Sequence, residues 1–385
     1  MEVQKKKIAL VAGEASGDLL GAHLIEALKK RLPDAEFVGV GGPKMESAGM
    51  KVLFPMETLA VWGYVEVLRH YREIVGIRKQ LRRLWSAERP DVFIGIDAPD
   101  FNLALERALK KKGVPTIHYV SPSIWAWRGE RIRHIAQSVS HMLALFPFEK
   151  PLYDEAGIPA TYVGHPLADV LPLEPNREAA RELLKLPKEG AVVALLPGSR
   201  QSELQSMADL FVQTARRMAE RRPDIQFLVP LVSRETRTLF EETLYRLDAR
   251  NLPMTILFGH AHDALAACDA ALVASGTATL ETALLKRPMV ITYKMPALIW
   301  SIIKRKNYLP YVGLPNILAG RFLVPELIQE DALPENLAQA LLNLLQDKAV
   351  TKGLEEAFSG MHRQLRQNTA EKAAGVVLDH LGAAG

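Results

Sequence analysis

Lys7-Ile8-Ala9-Leu10-Val11-Ala12-Gly13-Glu14-Ala15-Ser16-Gly17-Asp18 is the stretch from which the fold is read. An apolar β-run ends in a glycine turn, and residues 19–31 then carry helical periodicity. Strand, glycine turn and helix open an α/β layer. Gly13, Gly17 and Gly21 do not have the spacing of the dinucleotide fingerprint, and no acid follows the next strand, 37–40, at the ribose position. NAD is therefore not expected. Outward from this start, strands at 91–96, 114–120 and 140–145 alternate with helical runs. The proline- and charge-rich stretch 172–187 reads as a hinge. The alternation then restarts, with strands at 191–196, 225–231, 254–258, 269–273 and 289–293. Two α/β layers of similar size predict two doubly wound, Rossmann-like domains facing a crevice. Their spans are 1–172 and 173–347, and a helical tail, 348–385, is expected to pack back on the N-terminal domain.

A chain of 385 residues has room for two such domains. With 48% apolar and 24% charged residues it reads as a globular enzyme, not as a disordered or fibrous chain. The net charge of +4 is mild, and its local basic clusters at 5–7, 78–83 and 304–306 point to anionic ligands or an anionic surface, with no need for nucleic acid. Cys268 is the one cysteine, which excludes an internal disulfide and suggests a reducing compartment. The charged start runs straight into a strand and no stretch has 18 uninterrupted apolar residues, so neither a cleavable signal nor a membrane span is expected.

Candidate chemistry gathers where strands end, because open parallel sheets bind ligands at their carboxyl edge. Ala274-Ser275-Gly276-Thr277-Ala278-Thr279-Leu280-Glu281 passes from a strand into a helix. Such a start turns free N–H groups and a positive dipole end toward the crevice, where a diphosphate can sit. Glu281, four residues beyond Thr277 on the same face, is placed to accept both hydroxyls of a ribose. An ordinary turn, with Thr277 as N-cap and Glu281 as a first-turn acid, accounts for the same residues equally well. Arg200, after Pro197-Gly198-Ser199, is placed to meet a diphosphate, although a loop arginine is often merely solvated.

Asp97-Ala98-Pro99-Asp100-Phe101-Asn102 ends the strand 91–96. Asp97 reads as a general base on a hydroxyl, because Pro99 separates it from the helix start, whereas Asp100 reads as the N-cap of a helix over 101–112. Ser121 and Trp125, in Ser121-Pro122-Ser123-Ile124-Trp125-Ala126-Trp127, suggest a wall for a sugar or acyl chain, with plain packing as the alternative for the tryptophans. Asn316 and Gln329 are neutral polar candidates in the irregular stretch 308–329. The ten histidines form no ligand cluster and there is no Asp-x-Asp motif, so neither a metal nor another cofactor is expected. A departing diphosphate would then rely on Arg200 and the helix start at 276–280.

Two segments join apolar and basic residues, 56–85 and 296–306. Each reads either as a surface resting on an anionic bilayer or, for the first, as a core-packing helix with a solvated basic face.

Six motifs in order, at 13–18, 95–102, 121–127, 196–200, 275–281 and 314–316, give the chain a resemblance to the lipid-A-disaccharide synthases of Gram-negative bacteria over nearly its whole length. The resemblance implies a GT-B glycosyltransferase, peripheral on the cytoplasmic face of the inner membrane. It would move 2,3-diacylglucosamine from UDP-2,3-diacylglucosamine to 2,3-diacylglucosamine 1-phosphate, giving a β-1,6-linked disaccharide and UDP. By resemblance Asp97 is the base on the acceptor 6-hydroxyl and Glu14 joins it in the catalytic group. The diphosphate falls to Arg200 and the turn of Gly276, Thr277 and Thr279, and the ribose to Glu281. Ser16, Gly17, Asp100, Asn102, Ser121, Trp125, Asn316 and Gln329 fall among the substrate-binding positions. The resemblance also brings a homodimer with exchanged C-terminal segments among the expected partners; nothing in the spacing indicates it. The alternatives are a GT-B-like enzyme on a soluble sugar nucleotide, such as a UDP-N-acetylglucosamine 2-epimerase, and a non-catalytic carrier. The apolar segments argue against the first, and Asp97 against the second.

Overall fold

The computed structural model describes residues 5–59, 64–126, 129–296, 300–301 and 309–382, with the backbone alone for 64–71. Two compact units divide the chain: Met1–Asp169 with Leu365–Gly385, and Val170–Gln364.

The first unit holds a seven-stranded parallel sheet built from β1 (Lys7–Ala12), β2 (Glu36–Gly41), β3 (Lys51–Pro55), β4 (Val92–Ile96), β5 (Thr116–Tyr119), β6 (His141–Ala144) and β7 (Ala160–Tyr162). Their order is β3-β2-β1-β4-β5-β6-β7. Successive strands are laid to one side of β1 and then, from β4, to the other, so the switch point lies between β1 and β4. Ala12 stands opposite Ile96, and the loops that leave these two strands emerge side by side. They touch: a Cβ added to Gly13 would lie 3.0 Å from that of Ala98.

The second unit repeats the plan with six parallel strands, β8 (Val192–Leu196), β9 (Gln226–Leu231), β10 (Met254–Phe258), β11 (Ala270–Ala274), β12 (Met289–Tyr293) and β13 (Glu326–Ile328). The order is β10-β9-β8-β11-β12-β13, with its switch between β8 and β11. Leu196 pairs with Val273, so the loops carrying Arg200 and Gly276 also leave as neighbours. Parallel sheets are covered on both faces, and the switch strands accordingly read as unbroken apolar runs. Every residue of β4, β8 and β11 is buried.

Short strands at the sheet edges depart from the expected pattern. β3 and β7 were not foreseen, and β13 falls inside the stretch 308–329 that was expected to be irregular. All three residues of β13 are only half-buried. A strand of three half-buried residues shows neither a continuous apolar run nor a clean alternation.

The second half of the basic, aromatic segment settles as core. In the helix Tyr64–Ala87, Ile77, Leu81 and Trp85 are buried, and the Trp85 ring meets Phe93 at 5.4 Å. Lys79, Arg82 and Arg83 remain exposed. Residues 60–63, 297–299 and 302–308, on which part of the expected bilayer surface falls, lie outside the described residues, as do the side chains of 64–71. No described helix is long and apolar enough to cross a membrane.

The expected hinge is not a free linker. It contains the helix Arg177–Leu183, where buried Arg181 donates to the carbonyls of Ala267 and Lys188 and to Asp269 at 2.8–3.0 Å. At the other end of the chain, the helices Pro334–Gln346 and Lys348–Leu365 stay with the second unit, whereas Thr369–Gly382 packs on Ala15–Lys29 of the first. Asp169 accepts the N–H groups of Gln367, Asn368 and Thr369, which caps that last helix.

Candidate active site

At the switch point of the first sheet the backbone is bent into an uncommon conformation. Asp97 and Ala98 have φ of 51° and 42°, two successive left-handed residues without a glycine. Each costs on the order of 1–3 kcal/mol and persists only where its surroundings fix it. Asn102 supplies much of that fixing from beneath: fully buried, its amide donates to the carbonyl of Asp97 at 2.8 Å and to those of Val11 and Ile96 at 3.3 and 3.4 Å. The Asp97 N–H donates to Tyr119 O at 2.8 Å. The carboxylate itself is half-buried and has no hydrogen-bond partner among the described residues.

Asp100 does not cap the following helix, contrary to expectation. The helix spans Pro99–Lys110 with Ala98 at its N-cap, because Pro99 takes the first helical position with φ already set. The exposed Asp100 carboxylate instead meets Arg131 at 2.6 Å. On the β1 side Glu14 is the N-cap residue of Ala15–Lys29 and accepts from Ser16 Oγ at 3.1 Å. Gly17 is buried below them, where an added Cβ would meet that of Ala12 at 3.3 Å. Asp18, singled out by no sequence argument, is buried and accepts from Gly42, Lys44 and Met45 N–H at 2.8–3.0 Å, so it pins the next loop of the same edge.

Further along that edge Val120 has φ of 82°, a strained state for a β-branched residue. It turns Ser121 inward, where the hydroxyl bonds Tyr153 Oη at 2.6 Å. Trp125 is half-buried and donates its indole N–H to Glu149 at 3.1 Å. Its ring meets Phe148 edge-on at 5.2 Å, and Phe148 stacks on Phe146 at 5.6 Å. Glu149 is buried, and burial pushes its carboxyl up to about 7 against the opposing effect of the Phe146 N–H and Trp125. The sequence around it, Phe-Pro-Phe-Glu-Lys, carries no signal of that role.

The second unit has a cavity of about 270 Å³ lined by Arg200, Ser275, Gly276, Tyr293, Trp300 and Gln329. Gly276 is the N-cap of the helix Thr277–Leu284 with φ of 128°, which leaves the helix start bare and open. Thr277 is exposed there. Thr279 is buried, with its hydroxyl turned back on Gly276 O at 2.7 Å. Arg200 begins the helix Gln201–Arg221, and Glu203 accepts the N–H groups of Ser199 and Arg200 at 2.9 and 3.2 Å. Gln329 has φ of 53°, and its side-chain amide nitrogen is buried with no partner among the described residues. Asn316 is fully buried below the cavity, bonded to Val324, Leu323 and Glu326, and it braces the loop without lining the space. Glu281 lies outside the cavity lining, and its carboxylate meets His262 Nε2 at 3.1 Å.

A bare helix start, an arginine and an unpaired amide donor are the equipment for an anionic leaving group. A half-buried carboxylate on a strained strand tip suits proton abstraction. Among the described residues no three His, Cys, Asp or Glu side chains gather as a metal site would require.

Two doubly wound units in tandem, each with candidate residues at its switch point, define the class: a GT-B glycosyltransferase architecture. Solved structures share it across nearly the whole of this chain. The UDP-GlcNAc 2-epimerase from Neisseria meningitidis bound to UDP-GlcNAc superposes with a TM-score of 0.63 at 13% identity, covering 98% of this chain and all of that one. The calicheamicin glycosyltransferase superposes at 0.62 with 15% identity, covering 99% of each chain. Likeness this distant gives the fold alone and does not choose between epimerase and transferase. Sequence does. A family model for lipid-A-disaccharide synthetase matches residues 8–377. The lipid-A-disaccharide synthase of Methylobacillus flagellatus is 61% identical over 374 residues, covering 97% of this chain and 99% of the relative. The chain belongs to the lipid-A-disaccharide synthase family, and is thus a glycosyltransferase.

Proposed function

We propose that the chain transfers 2,3-diacylglucosamine from UDP-2,3-diacylglucosamine to 2,3-diacylglucosamine 1-phosphate, with Asp97 as the base. The reading rests on one observation: a carboxylate with no hydrogen-bond partner among the described residues stands at one switch point, and Arg200 with the helix start at Gly276, which has no side-chain cap among them, stands at the other. Asp97 takes the proton of the acceptor 6-hydroxyl as that oxygen bonds to the anomeric carbon. The bond to UDP breaks, and the diphosphate takes the electron pair against Arg200, Gly276 and Thr277. A single in-line attack inverts the anomeric carbon, which accounts for a β-1,6 linkage. Glu281 accepts the ribose hydroxyls, Gln329 donates to the sugar nucleotide, and Glu14 lies beside Asp97 with Ser16. Residues 1–172 serve the acceptor and 173–347 the UDP-sugar. Trp125 and Ser121 form the wall for the acceptor's apolar portion, Asp100 borders the same edge, and Gly17, Asn102, Thr279 and Asn316 hold the site from below. The enzyme works in the cytoplasm, peripheral on the anionic inner face of the inner membrane, supported by the apolar and basic sequence at 296–306. A homodimer is the assembly suggested by the family resemblance.

UDP release is the test, with both diacylated glucosamines present, then without the 1-phosphate acceptor, for the wild type and Asp97→Asn. Release is expected to require the acceptor and to fall by about 10²–10⁴ in the variant, with UDP affinity unchanged. Acceptor-independent release would mean hydrolysis or epimerisation, and tight UDP binding without turnover would mean a carrier; either sinks the proposal.

A further inference from the structure

Glu281 is held by a side chain from outside its own helix. After β10 the chain turns through two successive left-handed residues, Gly259 and His260, with φ of 72° and 56°, into the helix Ala261–Ala267. The turn is tied at both ends: Gly259 N–H donates to Leu231 O at 2.7 Å, and the His260 ring bonds Asp263 at 2.8 Å. It delivers His262, whose Nε2 lies 3.1 Å from Glu281 Oε2. The two side chains are 46% and 20% exposed, so the imidazole covers one flank of a carboxylate that solvent still reaches. Oε1 has no partner among the described residues, and an ionised carboxylate offers about four acceptor sites, so room remains for two further donors.

We infer that His262 is a positioning residue for recognition of a vicinal diol, the two ribose hydroxyls of a uridine diphosphate: its bond to Oε2 fixes the plane of the Glu281 carboxylate before the diol arrives. This rests on the reading that Glu281 takes the ribose. A carboxylate left to rotate must be ordered by the ligand itself, which weakens binding. The contact also raises the His262 pKa and so favours the donor form of the ring.

The experiment is equilibrium binding of UDP and of 2′,3′-dideoxy-UDP to the full-length wild type, His262→Leu, His262→Gln and Glu281→Gln. His262→Leu is expected to weaken UDP by about five- to tenfold, the worth of one such bond, and to leave the dideoxy compound unchanged. His262→Gln, which keeps a donor, restores most of the preference. Equal weakening of both ligands in His262→Leu, or of neither, overturns the inference. If the wild type does not prefer UDP, or Glu281→Gln keeps the preference, the ribose reading of Glu281 fails instead. Loss of the preference in Glu281→Gln with retention in His262→Leu refutes the role of His262 alone.

Discussion

Glu149 is a residue whose proton state bears on the stability of the first unit. Its carboxyl is raised from 4.5 to about 7 by burial, so between those values the folded chain keeps a proton that the unfolded chain releases. The native state is therefore favoured below about pH 4.5 and loses that advantage as pH rises through about 7, a change of about 3 kcal/mol. Glu149→Gln removes the titration. Its amide cannot accept from both Phe146 N–H and the Trp125 indole, so the variant is offset downward. Denaturant unfolding at pH 5 and pH 8 is expected to show the wild type losing about 2.5 kcal/mol more than the variant over that range; equal losses would mean the carboxyl ionises freely. Residues of this kind are hard to read from a sequence. Glu149 sits between a phenylalanine and a lysine, and His262 stands 19 residues from the acid it meets, so each partnership exists only after folding. Asn102, Thr279 and Asn316 carry the opposite lesson. Polar residues beside a strand end look like ligands on paper, yet these three point into the protein and bond its backbone.

The central strands were legible through their burial, and of the unburied edge strands β10, a run of five mostly apolar residues, could be located as well. β4, β8 and β11 are covered on both faces, which leaves an apolar run that can be located from composition alone. β3, β7 and β13 are edge strands whose outer surfaces face other demands, and they left no such trace. The expected hinge misled for a related reason, since prolines and charges mark an exposed stretch but do not reveal that one arginine is buried. Arg181 is 2% exposed and pairs with Asp269, which also accepts the Val192 N–H at the start of β8. Arg181→Met is expected to cost about 3–5 kcal/mol in denaturant unfolding, because several carbonyls lose their donor together and Asp269 loses one of three. Arg177 reaches the same carboxylate with a side chain 42% exposed. Its replacement by Met is expected to cost less than about 1 kcal/mol, and similar losses for the two variants would refute this account of the anchor.

The whole molecule is continuous in its second unit and discontinuous in its first. The chain passes between units twice, at 169–170 and at 364–365. Ala373, Ala374, Val377 and Leu381 of the last helix are buried, with Glu371 paired to Lys30 and Arg31 at the rim. Removing residues 366–385 is expected to lower the melting temperature of the first unit and to expose apolar surface to a reporter dye. Asp169→Asn, which weakens only the cap, is expected to cost about 1 kcal/mol. A truncated chain that melts like the full one would show that the helix adds nothing. The same connectivity sets an order on the ribosome. Chains emerge from their N-terminus and tend to fold unit by unit, but here the residues up to 169 must wait for Thr369–Gly382 to close their own unit. The segment 170–364 is synthesised without interruption and can reach its final form first, so the half of the enzyme begun earliest is the half completed last.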